Sequence, residues 1–351
     1  MNTSETPVLK EKAEQAARQD PGAGRNAHSP AGIGLRGWMD ILWRVYGQIG
    51  TDRVLAVAAG VTFYALLAIF PAITALVSLY GLFADPATAQ DHFAELAGLL
   101  PGDSLALIGD QMKRVASGDD VKLGFGFVLG LGIALWSANA GMKALFDALN
   151  IAYEETERRG FIALTLLTLG FTLCAIIFVL CAMALIVVLP LLFSAVGFSA
   201  TAGTVAAWAR WPILFLGVCL GLCILYRYGP SRERAKWRWV TVGAVVAALV
   251  WMAASATFSW YVANFASYNE TYGSLGAVIG FMTWLWISAI IVLVGGELNS
   301  EIEHQTAIDS TTGGALPLGQ RGAEMADTVG EGRDGTSPAP EDKNRPAELR
   351  V

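Results

Sequence analysis

The chain predicts an all-α polytopic membrane protein: six transmembrane helices, N and C termini cytoplasmic, and amphipathic outer helices between spans one and two. Three observations carry this expectation. Hydrophobic residues make up 54% of the 351 and charged residues only 15%, where soluble domains carry roughly 25% charged. Six stretches run apolar for about 18 residues or more, enough to cross a bilayer. Lys and Arg collect in alternate connections, as they do when basic loops stay in the cytoplasm.

Residues 1–40 are polar, rich in Ala, Gly and charge, with no apolar core that would mark a secretory signal. They read as a disordered cytoplasmic segment. The membrane domain, 41–303, holds spans at about Val54–Phe83, Leu123–Lys143, Phe161–Phe193, Trp208–Tyr226, Val240–Trp260 and Leu275–Leu298. The first and third reach about 30 residues and must tilt, kink or protrude. Pro71 supplies a kink by removing a backbone donor, and Pro190 closes the third span. The acidic segment Asp85–Lys122 repeats apolar residues near helical spacing on both sides of Pro101-Gly102, which predicts two short amphipathic helices on the outer face. Residues 304–351 turn to Gly, Pro, Thr and charge and read as a disordered cytoplasmic tail.

Orientation follows from the basic residues. Seven precede span one, and Arg227, Arg232, Arg234, Lys236 and Arg238 crowd the loop between spans four and five. The loop after span five, Tyr261–Ser274, has none. Both termini are therefore expected in the cytoplasm. Cys174, Cys181, Cys219 and Cys223 all fall in apolar runs and read as buried structural thiols. Gly126xxxGly130 and Gly217xxxGly221 let helix backbones approach closely, as a lipid-embedded bundle needs.

The candidate site begins with a polar stripe at the inner end of span two. At 100° per residue, Asn139, Lys143, Asp147, Asn150 and Glu154 fall within about 80° of one helical face. Lys143 and Asp147, four apart, are spaced to pair. Glu297, at the inner end of span six, is the other carboxylate at the membrane border, a partner for Lys143 or Arg53 or a binder of a coupling proton or cation. Two roles fit these residues: a polar seam between helices, or the inner mouth of a substrate pathway. Arg210 beside Trp208 and Trp211, with Arg227, Arg232, Arg234, Lys236 and Arg238 near Trp237 and Trp239, are candidate contacts for anionic lipid. They equally fit a topology signal with an aromatic belt. Pro71, Tyr272 and Gly273 are candidates for a kink or gate.

Several segments resemble one family. DALNIAYEETERR (Asp147 to Arg159), YRYGPSRERAKWRWV (Tyr226 to Val240), YNETYGSLGAVI (Tyr268 to Ile279) and GGELNSEIE (Gly295 to Glu303), with AAGVTFYALLAIFP (Ala58 to Pro71), are similar to the YihY / BrkB family of bacterial inner-membrane proteins. The resemblance covers about Ile41 to Glu303. It implies a multi-pass protein of the bacterial cytoplasmic (inner) membrane. For activity it implies little: members carry an old ribonuclease BN label or a virulence label, and lipid or lipopolysaccharide-precursor transport has been proposed for relatives.

The chain has no GxxxxGK[ST] phosphate loop and no HExxH, and His28, His92 and His304 are scattered. No acidic cluster suits the paired metals of a hydrolytic nuclease, and no long basic groove suits RNA. The expectation is a non-enzymatic protein without cofactor or metal that moves or binds a lipid or other amphiphile. A structural or assembly factor recruiting partners is the alternative, and a ribonuclease fits less well. The partners implied are membrane lipids, not nucleic acid; homo-oligomerisation and protein partners stay open.

Overall fold

The computed structural model describes residues 21–67, 120–183, 185, 200–265 and 274–333. The expected outer helices before residue 120, and Pro71, Pro190, Tyr272 and Gly273, lie outside the described residues. The described elements are helices: α1 (Leu35–Thr51), α2 (Val54–Leu67), α3 (Asp120–Ala152), α4 (Phe161–Met183), α5 (Ala200–Tyr228), α6 (Trp237–Phe265), α7 (Ser274–His304) and the short α8 (Glu324–Asp327). Among the described residues the only β pairing is one isolated antiparallel bridge, Ala235 to Thr311.

Among the described residues four stretches are long and apolar enough to cross a membrane: Phe161–Ala182, Trp208–Tyr228, Trp237–Val262 and Val278–His304. The pair α1 and α2, bent by 61°, makes a fifth if counted as one span. The predicted second span, Leu123–Lys143, lies within the 33-residue α3, and the later part of the predicted first span lies outside the described residues. The outer faces of these helices are apolar. Ile162, Leu166, Ile177 and Leu180 of α4, Leu216 and Leu220 of α5, and Leu249 and Val250 of α6 are all exposed. A continuous apolar exterior of this kind suits lipid and not water.

Small residues place the helices against one another. A Cβ on Gly243 of α6 would overlap the Gly295 carbonyl of α7 and the Asn299 side chain, and one on Gly295 would strike the Tyr226 hydroxyl of α5. Polar side chains lock the crossing. Asn299 accepts the Gly243 N–H at 2.8 Å and donates to the Val240 carbonyl at 3.0 Å, while Tyr226 donates to the Val292 carbonyl at 2.7 Å. Of the GxxxG pair in α5, only Gly217 is used this way, against the Phe178 ring of α4; Gly221 faces open space. Cys219 and Cys223 are buried as expected, but Cys174 and Cys181 sit on the exposed face of α4.

Helix α1 reverses the pattern of a water-facing helix. Its buried side carries Asp40 and Arg44 beside Ile41 and Val45. Its exposed side carries Leu35, Met39, Leu42, Trp43 and Tyr46. The bend that follows falls at Asp52 and Arg53, where Arg53 takes a left-handed φ of 51°.

Both terminal segments expected to be disordered are partly ordered. Residues 21–34 and 305–333 pack together over the end of the bundle where α3, α5 and α7 finish. Gln305 donates to the Ala23 carbonyl at 2.9 Å, Thr306 to the carbonyls of Arg25 and Ala27, and the Ala307 N–H to Arg25 at 2.8 Å. Asp309 organises the following turn, accepting from the Thr311 N–H and hydroxyl and from the Leu316 N–H. Arg321 is 4% exposed and donates to the carbonyls of Leu316, Ala326 and Ala307. Low apolar content hides this cap from composition, because hydrogen bonds between buried polar groups assemble much of it.

Candidate functional site

The sequence stripe separates into distinct environments. Asn139 is 3% exposed, and its side-chain oxygen has no hydrogen-bond partner. Two residues on, Gly141 lies against the α2 backbone at Ala65, so α2 and α3 cross closely here. Lys143 does not pair with Asp147, which is exposed. Its ammonium donates to the Thr165 hydroxyl of α4 at 2.8 Å and stands 4.7 Å from the centroid of the Phe161 ring and 5.7 Å from that of Trp136. Those rings are 70% and 65% exposed. Lys143 meets no carboxylate among the described residues. The cation therefore stands in an aromatic frame at the outer edge of the α3–α4 contact.

Asn150 is a structural lock. Its side chain accepts the Ser231 N–H at 2.7 Å and donates to Glu157 at 3.1 Å, joining the end of α3 to the α5–α6 loop. Helix α3 stops at Ala152, so Glu154 does not continue the stripe. It sits in the following turn at φ 52° and accepts from Gln48 of α1 at 3.1 Å. In the same turn, the Arg159 guanidinium bonds Glu157 at 2.6 and 2.7 Å and holds its carboxyl down at about 2.

The α5–α6 loop turns inward instead of lying on lipid. Arg232 is a buried partner of Glu303: its guanidinium makes two hydrogen bonds at 2.6 and 3.1 Å, with side chains 1% and 0% exposed. Ser310 donates to the same carboxylate at 2.7 Å, and Arg232 lies 4.3 Å over the Tyr153 ring. Burial alone would lower the guanidinium pKa, but the Glu303 charge and hydrogen bonds raise it above its ordinary value. Arg227 donates to the Ala235 carbonyl and lies over Trp237, and Lys236 donates to the Asp309 carbonyl at 2.8 Å. The tail covers this loop through backbone bonds, Lys236 N–H to Ser310 and Thr312 N–H to Arg234, each 2.8 Å. Of the loop's basic residues only Arg234 and Arg238 are exposed, with Arg210 half-buried over Trp211 on α5. The expected set of lipid-contacting cations thus loses Arg227, Arg232 and Lys236 to internal bonds.

Glu297 pairs with neither Lys143 nor Arg53. It is 1% exposed and its carboxylate oxygens find no donor. One turn further along α7, Glu301 takes Arg44 at 2.5 Å and His304 at 3.4 Å. Arg44 also donates to Gln305 at 2.7 Å and to the Glu331 carbonyl at 2.8 Å, tying α1 to α7 and the tail. Among the described residues no group of three or more His, Cys, Asp or Glu is arranged to hold a metal ion.

The chain has relatives. The family model described as virulence factor BrkB matches residues 45–315, which takes in the first part of the packed tail. The putative ribonuclease-like protein YfkH of Bacillus subtilis is 31% identical over 268 residues, 75% of this chain and 94% of that protein. A UPF0761 membrane protein of Pseudoalteromonas atlantica is 26% identical, across 77% of this chain and 89% of its own. Another, of Rhodospirillum centenum, is 28% identical across 72% of this chain, which spans only 55% of that longer protein. No solved structure matches. The chain belongs to the virulence factor BrkB family, and it is a multi-pass protein of the bacterial cytoplasmic (inner) membrane.

Proposed function

We propose that this member of the BrkB family is a six-span protein, both termini in the cytoplasm, that binds an anionic lipid or lipid-linked amphiphile and moves it across the bilayer. One observation carries the reading. Lys143 is a cation with no carboxylate partner among the described residues, framed by two exposed aromatic rings on a lipid-facing edge. A headgroup phosphate or carboxylate can complete its charge there while acyl chains lie along the apolar faces of α3 and α4. Arg234, over the Tyr228 ring, and Arg238 are exposed and add a positive rim at the capped end. The basic residues clustered at that end support its cytoplasmic placement, and the outward Trp43 and Tyr46 of α1 suit the membrane–water interface.

The ribonuclease-like name belongs to YfkH, and for this chain it stays the weaker reading. Two measurements test the proposal. A cysteine placed at the exposed Gly314 should resist a membrane-impermeant label in intact cells; labelling from outside would reverse the topology. In liposomes, the protein should speed the appearance of labelled anionic lipid headgroups in the opposite leaflet. No gain over empty liposomes across several lipids would remove lipid movement. A stable stoichiometric partner crosslinked in cells would then favour an assembly role.

A further inference from the structure

The buried carboxyl group of Glu297 and the half-buried one of Asp52 meet where the α1–α2 bend packs on α7. Glu297 is 1% exposed with both carboxylate oxygens unpartnered, and Asp52 Oδ2 is likewise buried without a donor. The two carboxyl groups lie within hydrogen-bonding reach of each other. As carboxylates both are acceptors only, so that contact becomes a hydrogen bond only when one of them holds a proton.

Among the described residues no positive charge acts on Glu297 in its place. Glu301 of α7 and Glu154 in the turn after α3 face the pair with further carboxyl groups, and Tyr153 of that turn faces it with a phenol. The nearby basic side chains face Glu301 and not Glu297: Arg44 holds Glu301 and Gln305, and His304 lies 3.4 Å from Glu301. Arg53, next to Asp52, is exposed. A buried carboxylate without a donor or counter-charge is strongly disfavoured.

We propose that Asp52 and Glu297 form a proton-binding site, with one exchangeable proton bridging the two carboxyl groups at the α1–α2 bend. Releasing that proton to water leaves adjoining carboxylates whose repulsion pushes the bend away from α7. Proton occupancy then sets how α1 and α2 dock. The site stands whether or not the protein moves lipid.

Infrared difference spectroscopy on the full chain in nanodiscs tests this at neutral pH in H2O and D2O. The wild type should show a protonated-carboxyl C=O band that shifts in D2O, and both Glu297→Gln and Asp52→Asn should lack it. Glu297→Gln, an amide replacing a protonated acid, should keep the wild-type thermal midpoint. Were a variant to misfold, the wild-type band should still lose one carboxyl per chain as pH rises. A wild type without the band, or a band surviving in both variants, would overturn the site. So would a thermal midpoint raised by sodium but not potassium and insensitive to sodium in Glu297→Gln, which would assign the pair to a metal cation.

Discussion

Replacing Arg232 by Met should destabilise the protein far more than any exposed cation in the same loop. The structure shows why. Arg232 and Glu303 are 1% and 0% exposed, and two of the hydrogen bonds to Glu303 come from Arg232. Without the guanidinium the carboxylate keeps only the Ser310 hydroxyl, and Tyr153 loses the cation over its ring. Removing one partner of a buried pair costs about 3–5 kcal/mol, because the other charge is left uncompensated. The attraction of two charges matters less here than the desolvation of the one that remains. Replacing both partners removes that penalty, so Arg232→Met/Glu303→Gln should be more stable than Arg232→Met alone. Equilibrium unfolding in mixed SDS–detergent micelles, read by tryptophan fluorescence and by protease protection of residues 305–333, gives both values. Arg238→Met, on the exposed face of the same region, should stay within about 0.5 kcal/mol of wild type. The reasoning fails if Arg232→Met is as mild as Arg238→Met, or if the double variant is no better than the single.

Three further outcomes follow from the packing and the cap. Gly243→Ala should cost about 1–3 kcal/mol of overpacking against Gly295, while Gly47→Ala on the open side of α1 should be neutral or stabilising; thermal midpoints of the two variants check this. Glu157 is held at about 2 against an ordinary 4.5, so its contribution is complete above about 4.5 and lost as pH falls towards about 2. Stability measured across that window should fall less steeply in Glu157→Gln, and an unchanged slope would contradict the Arg159 pairing. Arg321→Met removes donors to three backbone carbonyls and should release the tail, seen as faster proteolysis between residues 305 and 333 with the helical signal retained.

Much of the fold was legible because lipid imposes a simple pattern: predicted spans three to six coincide with long apolar helices. The α6–α7 crossing was harder to read. Its key residue, Gly243, belongs to no GxxxG pair and meets Gly295 through a tertiary contact that spacing alone does not reveal. The stripe failed as a unit for a local reason. Helical periodicity placed Glu154 on it, but α3 ends at Ala152 and a left-handed residue redirects the chain. The basic loop misled because charge count reports topology and not direction: Arg232 turns inward to a carboxylate 71 residues away. Three of the segments that carry the family resemblance nonetheless meet in space. Asn150 and Arg159, Tyr226 and Arg232, and Asn299 and Glu303 all act at the capped end, binding α3, α5, α6 and α7 together. Asn150 thus ties the end of α3 to the α5–α6 loop, while Lys143 is the cation of the stripe without a carboxylate partner among the described residues.

Transbilayer movement of labelled anionic lipid, compared among wild type, Lys143→Met and empty liposomes, therefore bears most directly on function. The variant removes the charge and the Thr165 hydrogen bond but keeps an apolar side chain between Trp136 and Phe161. Wild type should accelerate movement well above empty liposomes, Lys143→Met should lose most of that gain, and Lys143→Arg should keep it. Equal rates in wild type and Lys143→Met, with both proteins folded, would contradict a headgroup role for Lys143.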